Sequence, residues 1–273
     1  MSVQPAAPVS GNGASGTKRL LRVIKVGGRA QRDERLPAVL AALARNGEKL
    51  VLVHGGGDQI SELQRRFGRQ PEFVNGRRVT TKEDLEIIRM VLSGSTNKEL
   101  VAALVDAGVH AIGLSGEDAG IITGPRAFDG ALGEVGTPER VAAEPVLLLL
   151  EHGYTPVLSP VARDSASGKP LNVNGDDAAA AVAVALGATE LTFVGDVPGV
   201  LDESGEVIAE LSPEAAEMLI AQGSATGGMI AKLQAAQPAL RGGVRRVRIT
   251  GVDTLALPNG GTTLLPAGLA HVP

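Results

Sequence analysis

The chain has 273 residues, and 26 lysine and arginine residues against 30 aspartate and glutamate residues give it a formal net charge of −4 at pH 7. This length accommodates one large α/β domain, and the acidic balance argues against general nucleic-acid binding. Cysteine is absent, which excludes disulfides and thiolate metal sites, and four scattered histidines disfavour a zinc site. Aromatic residues make up 2%, so the core must be built from Val, Leu, Ile and Ala.

The first residues differ in composition from the rest of the chain. Residues 1–18 are small, rich in Pro, Gly and Ser, and lack the apolar core of a secretory signal, so we predict a disordered tail. Residues 19–273 are predicted to form a single domain, because strand and helix patterns alternate there without a linker. No apolar run approaches the roughly 20 residues of a membrane span, and the lack of cysteine fits a reducing compartment. A cytoplasmic location with no membrane partner is expected.

Glycine runs follow the first two predicted strands. Residues 20–26 read as a buried strand ending at Gly27-Gly28, and residues 49–53 as a second strand before His54 and Gly55-Gly56-Gly57. Repeated strand, glycine loop and helix are typical of a parallel α/β sheet, in which ligands bind at the carboxyl ends of strands. The first two helices are predicted at residues 36–45 and 60–67.

The middle of the chain is less regular. Residues 72–79 are expected to be irregular or a hairpin, and two helices are expected to be interrupted at Gly94. The remaining predictions are helices at 82–92, 97–107 and 139–151, strands at 109–114 and 155–161, and hairpins within 120–137.

Two amides and a carboxylate then alternate directly before an alanine-rich helix. Asn172, Asn174 and Asp176 are too polar and too closely spaced for a typical buried strand, and they predict an Asx-rich loop with a helix N-cap. The remaining elements are predicted as strands at 190–194 and 245–250 and helices at 213–222 and 228–240. Two lobes that share one continuous sheet are favoured over independent domains.

Three charged residues lie beside glycines or helix starts and could serve phosphoryl transfer, which needs charge stabilisation and alignment. Lys25 precedes Gly27-Gly28, whose amides could hold an anion, although a lysine at a strand end commonly reaches solvent. Lys232 lies four residues after Gly228, and Asp176 would join the two lysines if the fold brings them together. The common P-loop pattern is absent.

Other candidates have ordinary structural explanations as well. Gly55-Gly56-Gly57 provides either a tight turn or amides open to a ligand, and His54 is expected to be a strand-end residue rather than a base. Arg77 and Arg78 form either a solvated pair or a fork for a substrate carboxylate.

Seven motifs in order resemble those of N-acetylglutamate kinases, which belong to the amino acid kinase superfamily. The resemblance covers approximately residues 19–266, nearly the whole chain. The motifs are Lys25-Val-Gly-Gly28, Val53-His-Gly-Gly-Gly57, Asn75-Gly-Arg-Arg-Val-Thr80, Asn97-Lys98, Asn172-Val-Asn-Gly-Asp176, Asp196-Val-Pro-Gly-Val200 and Gly227-Gly-Met-Ile-Ala-Lys232.

The resemblance implies a three-layer αβα sandwich around a mainly parallel open sheet, with an acyl-amino-acid lobe at about 19–173 and an ATP lobe at about 174–273. It implies transfer of the ATP γ-phosphoryl group to the side-chain carboxylate of N-acetyl-L-glutamate, a step of arginine biosynthesis. Lys25 and Lys232 would stabilise the transferred group, and Asp176 would orient both lysines.

The resemblance also assigns binding residues. Mg²⁺ would arrive with the ATP, so no protein metal ligand is expected. The acyl substrate would be held by Gly56, Gly57, Arg78, Asn172 and Asn174. The nucleotide would be contacted by Gly27, Gly28, Asp196, Val197, Pro198, Gly199, Val200, Leu201, Ser224, Ala225 and Thr226.

Two positions depart from the family pattern, and alternatives stay open. Thr81 stands where an Asp is common, and Gly195 replaces a usual Thr or Ser. One alternative is a kinase for aminoadipate or glutamate linked to an acidic carrier protein, for which Arg65, Arg66, Arg69, Arg77 and Arg78 could form a basic rim. Another alternative is a non-catalytic sensor, which should have lost Lys25, Asp176 or Lys232, whereas all three are present.

Assembly is predicted from the poor helix formers of residues 1–18. Arginine-inhibited relatives use an N-terminal helix to link dimers into hexamers, so an arginine-insensitive homodimer is expected here. Binding of a PII-type regulator is left open by the sequence.

Overall fold

The computed structural model describes residues 20–74 and 76–266, so the tail predicted at 1–18 and Asn75 of the third motif lie outside the described residues. The strands are β1 (Leu21–Val26), β2 (Lys49–His54), β3 (Phe73–Val74), β4 (Arg77–Arg78), β5 (Ala111–Ser115), β6 (Ile122–Gly124), β7 (Val135–Gly136), β8 (Arg140–Val141), β9 (Thr155–Ser159), β10 (Val161–Asp164), β11 (Pro170–Val173), β12 (Glu190–Val194), β13 (Glu210–Leu211), β14 (Arg246–Thr250) and β15 (Thr262–Leu264). The helices are α1 (Leu36–Arg45), α2 (Gly57–Arg66), α3 (Lys82–Arg89), α4 (Asn97–Asp106), α5 (Ala143–Glu151), α6 (Gly175–Ala185), α7 (Pro213–Ala221) and α8 (Gly228–Arg241).

An eight-stranded sheet forms the centre of the molecule, in the order β13-β15-β14-β12-β1-β2-β9-β5. Its pairs are parallel except β14–β15, which confirms the mainly parallel sheet. Val26 at the end of β1 pairs with His54 of β2 and with Val194 of β12. The loops after these three strands therefore begin at one edge of the sheet, where ligands of parallel sheets bind.

Alternating side chains of the strands pack on opposite faces of this sheet. Val23 of β1 belongs to the core cluster that contains the buried residues of α6 and α8, whereas Ile24 and Val26 belong to the cluster that contains those of α1 and α4. Because successive residues of a strand point to opposite faces, both faces are covered by helices, as the predicted αβα sandwich requires. The same sheet runs through both expected lobes, and their boundary at residues 173 and 174 stays a prediction.

A second sheet, in the order β7-β11-β10-β6-β8, corrects the predicted loop at Asn172. Asn172 lies inside β11, opposite Val161 of β10, while its neighbours Leu171 and Val173 are buried. The strand accepts this asparagine because it sits on the less buried face, where its amide donates to the Thr80 hydroxyl at 3.0 Å. An alternating polar residue is therefore compatible with a strand that has one open face.

Other segments differ from the sequence predictions for local reasons. The two helices expected to stop at Gly94 are joined by a π-helical segment, Met90–Thr96. The helix predicted from residue 139 begins at Ala143, because β8 pairs with β6 before it, and Pro145 then falls in the first turn, where no N–H donor is needed. The predicted 155–161 strand is split between β9 and β10, and β6 and β7 of the expected hairpin region pair with other strands. No helix within the described ranges is long and apolar enough to cross a membrane.

Candidate active site

Lys25, Asp176 and Lys232 come from three different elements and meet beyond the carboxyl edge of the main sheet. The Nζ atom of Lys25 lies 2.9 Å from one carboxylate oxygen of Asp176, and the Nζ atom of Lys232 lies 3.9 Å from the other. β1 carries Lys25, the first turn of α6 carries Asp176, and α8 carries Lys232. The structure thus brings together two ammonium groups on one carboxylate, and their roles stay predictions.

This cluster is largely removed from water and carries an excess of positive charge. Lys25 is 9% exposed and Asp176 is 4% exposed, so Lys25 does not reach freely into solvent. Burial lowers the pKa of Lys232, the nearby Lys25 lowers it further, and Asp176 opposes both effects. Two cations that share one carboxylate favour the binding of an additional anion at this position.

The local sequence explains why Asp176 points into the cluster. Asn174 is the N-cap of α6, and its side-chain oxygen accepts hydrogen bonds from the N–H groups of Asp176 at 2.8 Å and Asp177 at 3.2 Å. Gly175 provides space, because a Cβ atom there would lie 3.2 Å from the Lys25 side chain. The predicted N-cap therefore also sets the position of the carboxylate.

A small cavity of about 160 Å³ lies on one side of Asn174. All five residues expected to hold the acyl substrate line it, namely Gly56, Gly57, Arg78, Asn172 and Asn174.

Arg78 is fixed in this cavity by protein acceptors. It is 8% exposed, and its Nη2 donates to the Gly57 carbonyl at 2.9 Å and to the Ser61 hydroxyl at 2.8 Å, while its Nη1 donates to Gln64. Its guanidinium lies 4.6 Å from the ring centre of Phe73, and burial lowers its pKa, although an arginine stays charged. These bonds leave the Nε–H and one Nη1–H of Arg78 for a ligand.

A larger cavity of about 1120 Å³ lies on the other side and shares Gly76, Arg77 and Asn174 with the small one. Its lining includes the charged cluster and glycines from three loops, which leave room for close contact with an anion. The cluster residues and glycines are Lys25, Gly27, Gly28, Asp176, Gly195, Gly227, Gly228 and Lys232. Asp196 lines this cavity as well.

Most of the residues expected to contact the nucleotide do not line this cavity in the part of the chain that the structure describes. The carboxylate of Asp196 accepts from the N–H groups of Arg29 and Ala30, at 2.9 and 3.2 Å. The Val200 N–H donates to the Thr262 hydroxyl at 2.7 Å, and Ala225 is buried in the core. The cavity lining omits Val197, Pro198, Gly199, Val200, Leu201, Ser224, Ala225 and Thr226, and their nucleotide contacts stay predictions.

Two contacts at the site were not anticipated from the sequence. Arg77 forms an ion pair of 2.8 Å with Asp177, which joins the β3–β4 hairpin to the start of α6. His54 and Asn97 form a buried hydrogen-bonded pair beneath the glycine loop. Adjacent residues of a helix do not face the same way, so the sequence could have indicated that Asp177 faces a different element from Asp176. No local pattern identifies Arg77 as the partner of Asp177.

Fold and site together define an α/β protein in which two lysines and one aspartate form a buried charged cluster beyond the carboxyl edge of the main sheet. The chain belongs to the amino acid kinase family, whose sequence profile matches residues 21–251.

Similar proteins cover nearly the whole chain. The acetylglutamate kinase of Geobacillus kaustophilus is 43% identical over 248 residues, which cover 89% of this chain and 95% of that protein. The acetylglutamate kinase of Chloroflexus aurantiacus is 47% identical over 247 residues, with coverages of 89% and 95%. The crystal structure of smu.665 from Streptococcus mutans superposes with a TM-score of 0.82 at 29% identity and covers 90% of this chain and 98% of that one.

Proposed function

We propose that this protein is an ATP-dependent kinase that phosphorylates the side-chain carboxylate of N-acetyl-L-glutamate and forms N-acetyl-L-glutamyl 5-phosphate. The observation that carries the proposal is the position of the Lys25–Asp176–Lys232 cluster at the large cavity, next to a small cavity lined by Arg78. The similarity to acetylglutamate kinases over about nine-tenths of the chain supports this choice of acceptor.

The geometry suits a direct phosphoryl transfer. An acceptor carboxylate oxygen attacks the γ-phosphorus, the bond from that phosphorus to the β–γ bridging oxygen breaks, and its electron pair leaves with ADP. A carboxylate has no proton to lose, so the step needs no general base. Lys25 and Lys232 neutralise the charge on the transferred group, and Asp176 holds both ammonium groups in position.

The larger cavity supports a nucleotide with Mg²⁺ bound through its phosphates. Cationic lysines and glycine loops suit a triphosphate, since backbone amides and ammonium groups both bind phosphate oxygens. Within residues 20–74 and 76–266 no group of three metal-ligating side chains is present, and the Asp176 carboxylate faces two ammonium groups. The proposal therefore places Mg²⁺ on the nucleotide rather than on protein carboxylates.

Release of ADP from MgATP tests the function, with hydroxylamine added to trap the acyl phosphate. The acceptors to compare are N-acetyl-L-glutamate, free glutamate and N-acetyl-aminoadipate. Turnover with N-acetyl-L-glutamate alone is expected. Turnover with none of the three, while ATP still binds, would contradict the proposal and would favour a carrier-linked acceptor or a sensor.

The arginines that could bind an acidic carrier are mostly engaged within the protein. Arg66 pairs with Glu62, Arg69 bonds to Asp84 at 2.7 Å, and Arg77 pairs with Asp177. Arg78 is buried. A free small substrate is therefore favoured over the carrier-linked alternative.

Replacing Arg78 by alanine should mainly weaken binding of the acceptor. Because hydrogen bonds to a charged group contribute about 1.5–3 kcal/mol, we expect the KM for N-acetyl-L-glutamate to rise by about 10- to 100-fold. The KM for ATP should change less than about twofold. Steady-state kinetics test this, with Arg140→Ala at an exposed position as the matched control. An unchanged acceptor KM would contradict the role of Arg78.

The proposed assembly is a homodimer without arginine inhibition. Light scattering on the full chain is expected to give the mass of two copies, and millimolar arginine should leave turnover unchanged. A hexamer, or inhibition by arginine, would contradict this prediction.

A further inference from the structure

A buried histidine lies beneath the glycine loop and has no part in the transfer described above. His54 ends β2 and Asn97 begins α4, and both side chains are fully buried. The Nδ2 of Asn97 lies 3.1 Å from Nε2 of His54, and Nδ1 of His54 lies 2.9 Å from the carbonyl oxygen of Gly55. A continuous chain of hydrogen bonds therefore joins α4 to the first residue of the glycine loop.

The surroundings of Asn97 fix the direction of these hydrogen bonds. Its Nδ2 also lies 2.9 Å from the carbonyl oxygen of Val157 and 3.4 Å from that of Leu114, and its Oδ1 accepts from Nζ of Lys98 at 3.0 Å. Since a carbonyl oxygen only accepts, the group that faces Val157 must be the NH₂ of Asn97. The same NH₂ lies nearer to Nε2 of His54, at 3.1 Å, than to the Leu114 carbonyl, and an amide nitrogen cannot accept a hydrogen bond. Nε2 of His54 therefore accepts and carries no proton.

This arrangement requires one tautomer of a neutral imidazole. With Nε2 unprotonated, the proton is on Nδ1, and Nδ1 donates to the Gly55 carbonyl. Burial lowers the pKa of His54 to about 4, the charges of Lys98 and Lys25 act in the same direction, and the bond to Gly55 opposes them. His54 is therefore neutral at neutral pH.

We propose that His54, oriented by Asn97, is a positioning residue that holds the Gly55–Gly56 peptide so that the Gly56 N–H faces the acceptor cavity. In a planar trans peptide the C=O and the N–H point in opposite directions, so fixing the Gly55 oxygen also fixes the Gly56 N–H. Gly55 and Gly56 line the small cavity. Within the described ranges, no backbone carbonyl accepts a hydrogen bond from the Gly56 N–H. This N–H is therefore free to donate to an oxygen of the substrate that receives the phosphoryl group.

The identity of that substrate, N-acetyl-L-glutamate, rests on the proposed function. Two variants test the positioning role of His54 in the full-length protein. His54→Leu removes the donor, whereas His54→Asn places an amide nitrogen where Nδ1 stands. We expect His54→Leu to lower kcat/KM for N-acetyl-L-glutamate by about 10-fold or more, because a misdirected N–H no longer binds the charged carboxylate of this substrate. The KM for ATP should stay within about twofold. His54→Asn should recover most of the loss.

Thermal melting of both variants shows whether they are folded under the assay conditions. If both variants are folded and lose kcat/KM for N-acetyl-L-glutamate equally, the proposal is overturned. It is also overturned if ATP binding weakens as much as binding of N-acetyl-L-glutamate. Either result would mean that His54 supports the whole site rather than one peptide.

A second measurement needs no enzymatic activity. Nitrogen NMR of the wild-type protein with ¹⁵N-labelled histidine, assigned with His54→Asn, should show Nδ1 protonated and Nε2 unprotonated across about pH 6–8. A protonated Nε2 would overturn the positioning role even in an active enzyme. A wild-type protein that phosphorylates none of the acceptors would contradict the proposed function instead. The NMR measurement of the His54 tautomer would still show whether the hydrogen-bond chain from Asn97 to Gly55 is present.

Discussion

Lys25→Ala is expected to lower kcat by about 10²–10³-fold, the range found when one preorganised donor to a developing charge is removed. The Nζ atom of Lys25 is held 2.9 Å from Asp176 at the edge of the large cavity, so it is in place before substrates arrive. Its removal eliminates one of the two charges that, in the proposed function, face the transferred phosphoryl group. Because this charge acts most strongly in the transition state, the KM values should change less than kcat.

The measurement is steady-state kinetics at saturating MgATP and acceptor. Lys169→Ala, at an exposed position in the turn before β11, is the matched control and should keep full activity. Lys25→Arg retains the positive charge but replaces the compact ammonium group by a planar guanidinium, so it should recover only part of the lost kcat. A Lys25→Ala protein that is folded and fully active would remove the proposed role of this lysine.

The fold could be predicted from the sequence because its strands and glycines carry strong local signals. The apolar residues of β1 and β2, each followed by glycines, indicate parallel strands with a ligand edge, and the structure confirms the parallel pairing of these strands. The second sheet was harder to predict, since its strands are short and pair with partners far along the chain. The sequence predicts a loop at Asn172 because this residue alternates with the polar Asn174 and Asp176, whereas the structure shows that its neighbours in the strand are buried.

The candidate site was predicted as residues rather than as geometry. Lys25, Asp176 and Lys232 are separated by more than 50 residues at each step, and no spacing rule brings such positions together. The resemblance to a family supplied the grouping, and the packing of α6 against both β1 and α8 explains it physically. The links from Arg77 to Asp177 and from His54 to Asn97 depend on tertiary packing, so no local pattern identifies either residue as the partner of the other.

Asp176→Asn is expected to lower kcat by about 10²-fold, although an amide occupies almost the same volume as the carboxylate. Among the described residues, this carboxylate is the one group that pairs with both lysines, at 2.9 and 3.9 Å. A neutral amide would leave two ammonium groups to repel each other. Asp176→Glu keeps the charge but moves it by one methylene, so it should retain more activity than the amide. Asp106→Asn, at an exposed position at the end of α4, is the matched control.

The pH dependence of this variant separates an electrostatic role of Asp176 from a purely structural one. Burial and Lys25 lower the pKa of Lys232, and Asp176 is the main group that raises it. Removing the carboxylate should lower this pKa further, so Lys232 would lose its proton at a lower pH. The alkaline fall of kcat should therefore begin at a lower pH in Asp176→Asn than in the wild-type protein. A reduced kcat with an unshifted profile would mean that Asp176 shapes the site without tuning the charge of Lys232.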